Sequence, residues 1–463
     1  MAQASNKELV KRIAKLVKQN QELEDTIKRM DKEYEKLSAS YERLKSRGGA
    51  AADREPEKRE TSLKFNMATV LFANVHGFAK LMEEMDSTVL MDELDEVLFA
   101  FDKITDKYNI EKIKTIGDAY MCAGGIPVKN ITNPIDVVMA AMEMRDYLED
   151  FQNRKREKDE KIWEIKIGIH TGPVTASISG KKKISYDIKG DTVNTASRIE
   201  AVSEDGMILI SVMTYELVKE FFDCEYFGKL PVKYKGDLQL YRVKGLKPEF
   251  SVNNEGKVPN EAFRIKFGLI QFTDIQEIIL DKLEKELPSY LYYHNVKHTV
   301  DVVTEVELIG WGEGCSDEEI LYLKLAGLFH DVGHTRTYKG HEKASTDIVR
   351  EMLPKYNYSE EQIEKICSII MATELPPRPK NLLEEIICDS DLDYLGRADF
   401  IPVSNTLYEE LKAQNSVGTL NDWNKIQVKF ISGHQYFTKT ARNLREVNKQ
   451  LQIERIQSLI VDD

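Results

Sequence analysis

The sequence predicts a multidomain α+β protein with an N-terminal parallel coiled coil, a middle α/β domain and an all-helical C-terminal domain. Its 463 residues correspond to two or three domains of ordinary size. Residues 1–46 carry a heptad pattern, residues 63–245 alternate strand-like and helix-like segments, and helical periodicity dominates residues 263–463. Glycine, proline and charged residues interrupt these patterns at 47–62 and 246–262, where we place two linkers.

Composition and charge argue against several classes of protein. The formal net charge of −13 does not suit a general nucleic-acid binder, because contact with phosphates needs a basic surface. The five cysteines are scattered without a C-x-x-C pair, which argues against a disulfide framework and favours a reducing compartment. The sequence contains neither an apolar run of membrane length nor the core of a signal peptide. We therefore expect a cytoplasmic protein without a membrane span.

The N-terminal segment has the apolar pattern of a coiled coil. Its seam residues alternate at spacings of four and three. The seam consists of Leu9, Ile13, Leu16, Asn20, Leu23, Ile27, Met30, Tyr34, Leu37, Tyr41 and Leu44. Isoleucine at a positions, leucine at d positions and one asparagine at a favour two parallel strands, so we predict a homodimer. A solitary solvated helix is the alternative, but such a helix needs no unbroken 3.5-residue period.

The middle domain begins with MATVLFANV, which predicts a strand that enters a turn at His76-Gly77 and is followed by a helix. KIKTIG and AYMCAGG predict two strands around a tight turn at Gly117-Asp118. Asn133 is predicted to cap a helix that extends to about Gln152. IWEIKIGIHTG predicts a further strand, and ISYDIKG leads into the helix TVNTASRIEAV. This order predicts an α/β sandwich with helices on one face of the sheet.

The C-terminal domain concentrates histidine and aspartate in a pattern typical of a metal site. His294 and His298 are four apart and are expected to share one helical face, while His330-Asp331 is followed by His334 one turn later. Buried carboxylates and imidazoles are costly unless they are paired or bind a metal. Mixed ligands of this kind suit Mn²⁺, Fe²⁺, Zn²⁺ or Mg²⁺. Satisfied core histidines would explain one such residue, but not the set that is completed by His341, Asp389, Asp391 and Asp393.

The order His298, His330-Asp331 and Asp391 resembles the metal site of HD-domain phosphohydrolases. YHNVKH and HDVGH are also similar to the YHN-x-x-H and HD-x-x-H motifs of cyclic-nucleotide phosphodiesterases. The resemblance covers about residues 285–445 and implies an all-helical domain that holds one or two divalent metal ions. It implies His298, His330, Asp331 and Asp391 as metal ligands, Asp331 as the bridge between two metals, His341 as a further ligand of the second metal, and His294 as the general acid.

Three points about this site stay open in the sequence. Asp389 is a rival to Asp391, although the family pattern favours Asp391. No clear match to the glutamine that reads the purine in animal phosphodiesterases is found, so base selectivity is open. The tail segment FISGHQYFTKTARNLR contains His434, Lys439 and Arg442, which have either a substrate-contact role or a structural role.

Four stretches of the middle domain are similar to class III nucleotidyl cyclases: VLFANVHGF, KIKTIGDAYMCAGG, ISYDIKGDTVNTASRIE and VKYKGDLQLYRV. The resemblance implies a ferredoxin-like α/β fold and a dimer with active sites at its interface. It implies Asp118 as a metal carboxylate, Lys114 and Asp187 as an adenine-type base-reading pair, Asn194 and Arg198 as ribose and transition-state residues, and Lys233 or Lys235 as the triphosphate lysine.

One position departs from the cyclase pattern. Family members have aspartate where this chain has Asn74, which offers a neutral oxygen and no charge. Mg²⁺ beside a triphosphate prefers carboxylate and phosphate oxygens, so the loss of one carboxylate weakens one of the two metal positions. We therefore expect a domain that binds nucleotide with Mg²⁺ or Mn²⁺ but cyclises it poorly.

The sequence as a whole predicts a phosphodiesterase that converts a cyclic nucleotide, with cAMP favoured, to the 5′-monophosphate. ATP or GTP bound by the degenerate cyclase-like domain is its expected regulator. Two alternatives are a bifunctional enzyme that also makes cAMP and a non-enzymatic dimeric signalling scaffold.

Overall fold

The computed structural model describes residues 62–179, 185–232 and 236–461. The predicted coiled coil, the linker at 47–62 apart from Ser62, and the two candidate phosphate lysines, Lys233 and Lys235, lie outside these residues. The predictions for them therefore stay predictions.

The described residues of the middle domain form a mixed sheet of eight strands. Its strands are β1 (Ser62–Val75), β2 (Glu111–Ile116), β3 (Ala119–Gly124), β4 (Ile165–Ser179), β5 (Ser185–Lys189), β6 (Ile208–Ser211), β7 (Phe222–Val232) and β8 (Gly236–Leu246). Their order is β2-β3-β1-β4-β6-β8-β7, and β5 pairs with β4. The β4–β6 pair is parallel, whereas β1 lies antiparallel to both β3 and β4. The predicted turns at His76-Gly77 and Gly117-Asp118 are present.

Helices pack on both faces of this sheet, so the prediction of helices on one face is wrong. The helices are α1 (Phe78–Glu84), α2 (Ser87–Lys107), α3 (Asn133–Glu157), α4 (Asp191–Val202) and α5 (Val212–Val218). Helices α2 and α3 share a core with Ile167 and Ile169 of β4. Helix α4 lies on the opposite face, where a Cβ at Gly168 would lie 2.1 Å from the backbone nitrogen of Glu200. The absence of a side chain at Gly168 allows this close approach.

Asn133 does not cap helix α3, which extends to Glu157 rather than to Gln152. The helix begins at Asn133 itself, and the side chain turns into the core. Its Oδ1 accepts a hydrogen bond from Thr69 Oγ1 at 2.6 Å, and its Nδ2 donates to the carbonyl of Asn130 at 2.6 Å. The sequence pattern of a cap therefore identified the helix start, but the side chain satisfies a buried threonine instead.

The C-terminal domain is helical throughout the part of it that the structure describes. Its helices are α6 (Glu261–Glu286), α7 (Val296–Glu313), α8 (Asp317–Phe329), α9 (His341–Met352), α10 (Glu360–Met371), α11 (Leu382–Asp391), α12 (Phe400–Ala413), α13 (Leu420–Gly433) and α14 (Lys439–Gln457). Serine, threonine and asparagine side chains cap most of them, for example Ser316 before α8 and Ser359 before α10. Among the described helices, none combines the length and the apolar character needed to cross a bilayer.

The segment predicted as the second linker, 246–262, is folded against both of its neighbours. Two short 3-10 turns occupy it, and the N–H of Leu246 donates to the carbonyl of Gly256 at 2.8 Å. Asn260 caps helix α6 by accepting the N–H of Phe263 at 3.0 Å. Helix α6 therefore leaves the sheet domain in a defined direction.

Candidate functional site

The candidate metal centre lies among four helices and begins in the turn before α7. Asn295 caps α7 by accepting the N–H groups of Lys297 at 2.8 Å and His298 at 3.1 Å. His298 therefore lies in the first helical turn, and His294 lies before the helix. The expectation that the two histidines share one helical face is wrong for this reason, although their rings are only 6.0 Å apart.

His298, His330 and Asp391 form the first cluster. The Nε2 of His298 lies 3.1 Å from Asp391 Oδ1 and 3.3 Å from the Nε2 of His330. His330 donates from Nδ1 to the carbonyl of Gly327 at 2.8 Å, which leaves its Nε2 as the ligand atom. Two imidazole nitrogens that face each other at this distance need a proton or a cation between them, and the three residues are suited to bind a divalent ion.

Asp331, His334 and His294 form a second cluster whose ligand atoms lie within 4.8 Å of one another, and His341 lies beside this cluster. The Nε2 of His341 lies 3.3 Å from Asp331 Oδ1, and the Nε2 of His334 lies 3.9 Å from it. The rings of His334 and His341 are stacked with centroids 3.9 Å apart. Neither nitrogen of His334 makes a hydrogen bond to any described residue, although the ring is buried. Such an imidazole fits a metal ligand better than a core residue.

Burial and the mutual field of these groups shift their pKa values. Burial lowers the pKa of His334 to about 3, so the ring is neutral and can bind a cation. Burial works against the ionised form of Asp331, but His330 and His294 beside it hold its pKa well below the usual range. The centre is therefore an anionic carboxylate among imidazoles.

Asp389, the rival of Asp391, does not reach the cluster. Its carboxylate accepts the backbone N–H groups of Phe437 and Thr438, each at 2.8 Å, and also the hydroxyl of Thr438 at 2.8 Å. Asp389 thus holds the start of α14, while Asp391 at the end of α11 faces His298. Asp393 is paired with Arg445 and likewise stays apart.

His294 contacts a carboxylate that the sequence did not reveal. Its Nδ1 lies 2.5 Å from Oε1 of Glu410 on α12, and Glu410 is fully buried. The same carboxylate accepts the backbone N–H groups of Tyr293 at 2.9 Å and His294 at 3.1 Å. Burial disfavours the charged imidazole, but Asp331 and the hydrogen bond to Glu410 outweigh it and raise the pKa of His294. In the sequence Glu410 resembles its exposed neighbour Glu409, so only the fold distinguishes it.

A cavity of about 340 Å³ opens beside the two clusters. Its walls are mostly apolar, and His294 and His334 line the end that faces the candidate metal ligands. Gln427 and Phe430, one turn apart on α13, line it as well. Gln427 accepts a hydrogen bond from Ser404 Oγ at 2.5 Å. The sequence analysis did not identify Gln427 as a residue of the cavity. The only local signal is that Phe430 follows it three positions later in IQVKF.

The tail residues do not line this cavity. Arg442 donates to the backbone carbonyls of Tyr436 at 3.2 Å and Phe437 at 2.9 Å, so it holds the connection between α13 and α14. Lys439 is exposed at the start of α14, and burial lowers the pKa of His434 to about 4. The geometry agrees with a structural role for these residues rather than with substrate contact.

The candidate nucleotide site lies on the sheet domain. Lys114 and Asp187, on different strands, form an ion pair with Nζ and Oδ1 2.7 Å apart. Asn194 and Arg198 are exposed one turn apart on α4. The fold thus brings together Lys114 and Asp187, the predicted base-reading pair, although they are 73 positions apart in the sequence.

Asn74 lies near the end of β1, paired with Ala119 on one side and Lys166 on the other, next to the turn that carries Asp118. Its Oδ1 is buried and makes no hydrogen bond to a described residue. A second carboxylate, Glu200 of α4, is close to it. Burial raises the pKa of Glu200. The charge of Lys166 and a hydrogen bond with Asn74 oppose this shift, whereas the charge of Asp118 adds to it. The sequence did not single out Glu200.

Comparison with protein families divides the chain in the same way. Residues 61–245 match the adenylate and guanylate cyclase catalytic domain, and residues 295–395 match the HD domain. The membrane guanylyl cyclase of Dictyostelium discoideum is 36% identical over 181 residues, which is 39% of this chain and 12% of that protein. An adenylate cyclase of Mycobacterium tuberculosis is 29% identical over 218 residues, 47% of this chain and 48% of that protein. The chain thus spans between about a tenth and a half of the length of these relatives.

Solved structures of cyclase domains are similar to part of the chain. The adenylyl cyclase CyaB from P. aeruginosa is 32% identical, with 40% of this chain and 95% of that chain covered and a TM-score of 0.37. The guanylate cyclase domain of RhGC from Catenaria anguillulae, in complex with GTP, is 30% identical, with 40% and 100% covered and a TM-score of 0.36.

Proposed function

Because the chain belongs to the adenylate and guanylate cyclase catalytic-domain family over residues 61–245 and carries an HD domain over residues 295–395, we propose that it is a nucleotide-regulated, metal-dependent phosphodiesterase. The reaction is hydrolysis of a cyclic nucleotide, with cAMP favoured, to the 5′-monophosphate. The observation that carries this proposal is the pair of facing Nε2 atoms of His298 and His330 beside Asp391, next to a cavity of about 340 Å³.

The residues that would hold metal ions fit divalent cations. His298, His330 and Asp391 would bind one ion, His341 and His334 would bind a second, and Asp331 would bridge the two. Asp331 Oδ2 makes no hydrogen bond to a described residue although it is buried, which supports its role as a ligand. When bound, two such ions stabilise the attacking and leaving oxygens of an in-line displacement at phosphorus and lower the pKa of water.

His294 is suited to donate a proton to the departing O3′ oxygen. It lies at the cavity wall, and Glu410 accepts its Nδ1–H, so Nε2 is the nitrogen that can carry the transferred proton. The hydrogen bond to the Glu410 carboxylate favours the protonated imidazole that a general acid needs. Glu410 acts as a positioning residue, because it holds both the ring and the backbone of His294.

The cavity supports a substrate with one flat, partly apolar end. Phe430 offers a ring against which a base can lie, and the side-chain amide of Gln427 has both a donor and an acceptor for the edge of a base. Ser404 already donates to Gln427 Oε1, so the amide orientation is set by the protein. Discrimination among cyclic nucleotides would then depend on which groups of Gln427 remain free.

Helix α6 supports regulation of one domain by the other. At its start the ring of Phe263 packs on Phe221 of the sheet domain, with centroids 5.2 Å apart. Further along, a Cβ at Gly268 would lie 2.6 Å from Leu321 of α8, the helix that His330 follows directly. A shift of α6 would therefore reach the metal centre through tightly packed atoms. We propose ATP or GTP as the ligand that causes it, within a homodimer formed by the coiled coil and the cyclase domain.

A bifunctional enzyme that also makes cAMP is the second candidate. The relatives are named as cyclases, and the Lys114–Asp187 pair and Asp118 are retained. Glu200 next to Asn74 offers a carboxylate near the position where the family has aspartate. Poor cyclisation because of Asn74 remains our proposal, and a non-enzymatic scaffold is the third possibility.

Product analysis separates these functions. The full-length protein is incubated with cAMP and, separately, with ATP, each with Mn²⁺ or Mg²⁺. Formation of AMP from cAMP supports the phosphodiesterase, and formation of cAMP from ATP supports the bifunctional enzyme. If neither product forms, the non-enzymatic scaffold is the remaining candidate. Asp331→Ala protein, purified in the same way, is the control for a contaminating hydrolase. Equal hydrolysis by this variant would contradict the assigned centre.

A further inference from the structure

The hydroxyl of Ser345 joins two backbone segments that carry the second histidine cluster. Ser345 lies in α9, is fully buried, and donates to the carbonyl of His330 at 2.6 Å. It also accepts the backbone N–H of Gly333 at 2.8 Å. One side chain therefore connects helix α9 to both sides of the turn that contains Asp331.

Gly333 brings this turn into direct contact with the start of α9. A Cβ at this position would lie 1.9 Å from the carbonyl oxygen of His341 and 2.7 Å from the backbone nitrogen of Ser345. A methyl group cannot be accommodated at either distance. The turn and the first turn of α9 are therefore as close as two backbones can be, and the bonds of Ser345 hold them at that separation.

This separation determines where His341 lies relative to Asp331 and His334. His341 is the first residue of α9, one helical turn before Ser345. Its ring stacks on His334 at 3.9 Å, and its Nε2 lies 3.3 Å from Asp331 Oδ1. Both nitrogens of His334 lack a hydrogen bond to a described residue. The three groups thus meet only because α9 is held against the turn.

We propose that Ser345 is a positioning residue for a second divalent cation, bound by Asp331, His334 and His341. The inference rests on the proposed function, because it presumes that this domain binds metal. The first cluster depends less on Ser345: His298 and Asp391 lie on α7 and α11, and although Ser345 donates to the His330 carbonyl, the His330 ring is oriented by Gly327. Loss of the Ser345 hydroxyl should therefore weaken the second cation selectively.

The test is a titration of the metal-free full-length protein with Mn²⁺. Bound metal is counted after equilibrium dialysis, and electron paramagnetic resonance reports coupling between two adjacent Mn²⁺ ions. We expect two ions for the unaltered chain. For Ser345→Ala we expect one tight ion, no coupled signal, and second-site affinity lower by about 10–100-fold, as for other groups that orient metal ligands.

Thr346→Val is the matched control. Thr346 is the next residue of α9 and equally buried, but its hydroxyl donates within its own helix, to the carbonyl of Lys343 at 2.8 Å. This variant should keep both ions. If it loses the second ion as Ser345→Ala does, general loosening of α9 is the cause and the proposal fails.

Three further results of the metal titration would contradict the proposal. Two ions of unchanged affinity in Ser345→Ala overturn the role of Ser345 while leaving the metal centre intact. A single ion in the unaltered chain overturns both this inference and the two-metal site, whereas hydrolysis of cAMP by that chain tests the proposed function separately. If Ser345→Ala does not fold, Ser345→Cys keeps the volume with a weaker hydrogen bond, and unchanged second-site affinity in that variant contradicts the proposal.

Discussion

Asp274 of the helical domain accepts the backbone N–H of Ile131 in the sheet domain at 2.8 Å. Its second oxygen lies 3.3 Å from the hydroxyl of Thr132, the residue before helix α3. A carboxylate of α6 thus binds the two residues that immediately precede a helix of the other domain. Asp274 and Thr132 are buried, so loss of the carboxylate removes a partner from a buried hydroxyl as well as the acceptor of the Ile131 N–H.

Removal of this contact should uncouple the two domains. In Asp274→Ala the N–H of Ile131 loses its acceptor, which costs about 1–3 kcal/mol. We expect thermal unfolding to change from one transition to two, and any effect of ATP on hydrolysis to diminish, while basal hydrolysis is retained. Asp281→Ala, an exposed change on the same helix, is the control. A single transition and an unchanged ATP effect in Asp274→Ala would rule out this coupling.

Metal binding and proton donation should separate by mutation. Asp331→Ala removes the carboxylate that we propose as the bridge, and it should abolish metal binding and turnover together. His294→Ala should keep the metal and lose rate by about 10²–10⁴-fold, the range for a lost general acid. Metal content by elemental analysis, measured on the same samples as the rate, distinguishes the two. Loss of metal in His294→Ala would place this residue among the ligands.

Asp136 should make stability depend on pH. Burial raises its pKa to about 8, with Asp274 nearby as a further cause. The folded state then holds a proton that the unfolded state releases above about pH 4, so this group reduces the free energy of unfolding as the pH rises from about 4 to about 8. Asp136→Asn should remove that decrease in denaturant titrations across this range. An unchanged slope would show that Asp136 is ionised in the fold.

The nucleotide effect should depend on the Lys114–Asp187 pair. Lys114→Ala removes one member of the pair and should blunt the response of hydrolysis to ATP without changing basal hydrolysis. Lys112→Ala is the matched control, because Lys112 lies on the same strand and pairs with Asp102 at 2.7 Å. A full ATP response in Lys114→Ala would argue against this nucleotide site.

Restoring the missing carboxylate is the complementary test of the sheet domain. Asn74→Asp returns an anionic oxygen to the position where cyclases carry one, and Mg²⁺ favours such ligands. We expect cAMP formation from ATP to increase by at least tenfold. Rapid cAMP formation by the unaltered chain would instead show that the cyclase reaction does not need a carboxylate at position 74.

The sequence by itself determined the parts of this protein whose chemistry is local. The two matched domains, the turn that carries His330 and Asp331, and the lysine and aspartate of the candidate nucleotide site lie in short contiguous motifs. Such features depend on neighbours in the chain and are visible without the fold.

The tertiary structure decided which of several similar residues does which task. Asp389 and Asp391 are two positions apart, yet one satisfies the backbone at Phe437 and the other faces His298. Glu410 and its neighbour Glu409 differ only in burial. Distant segments decide both cases, because a carboxylate acquires its role from the donors that packing brings within about 3 Å of it, and no local pattern records those donors.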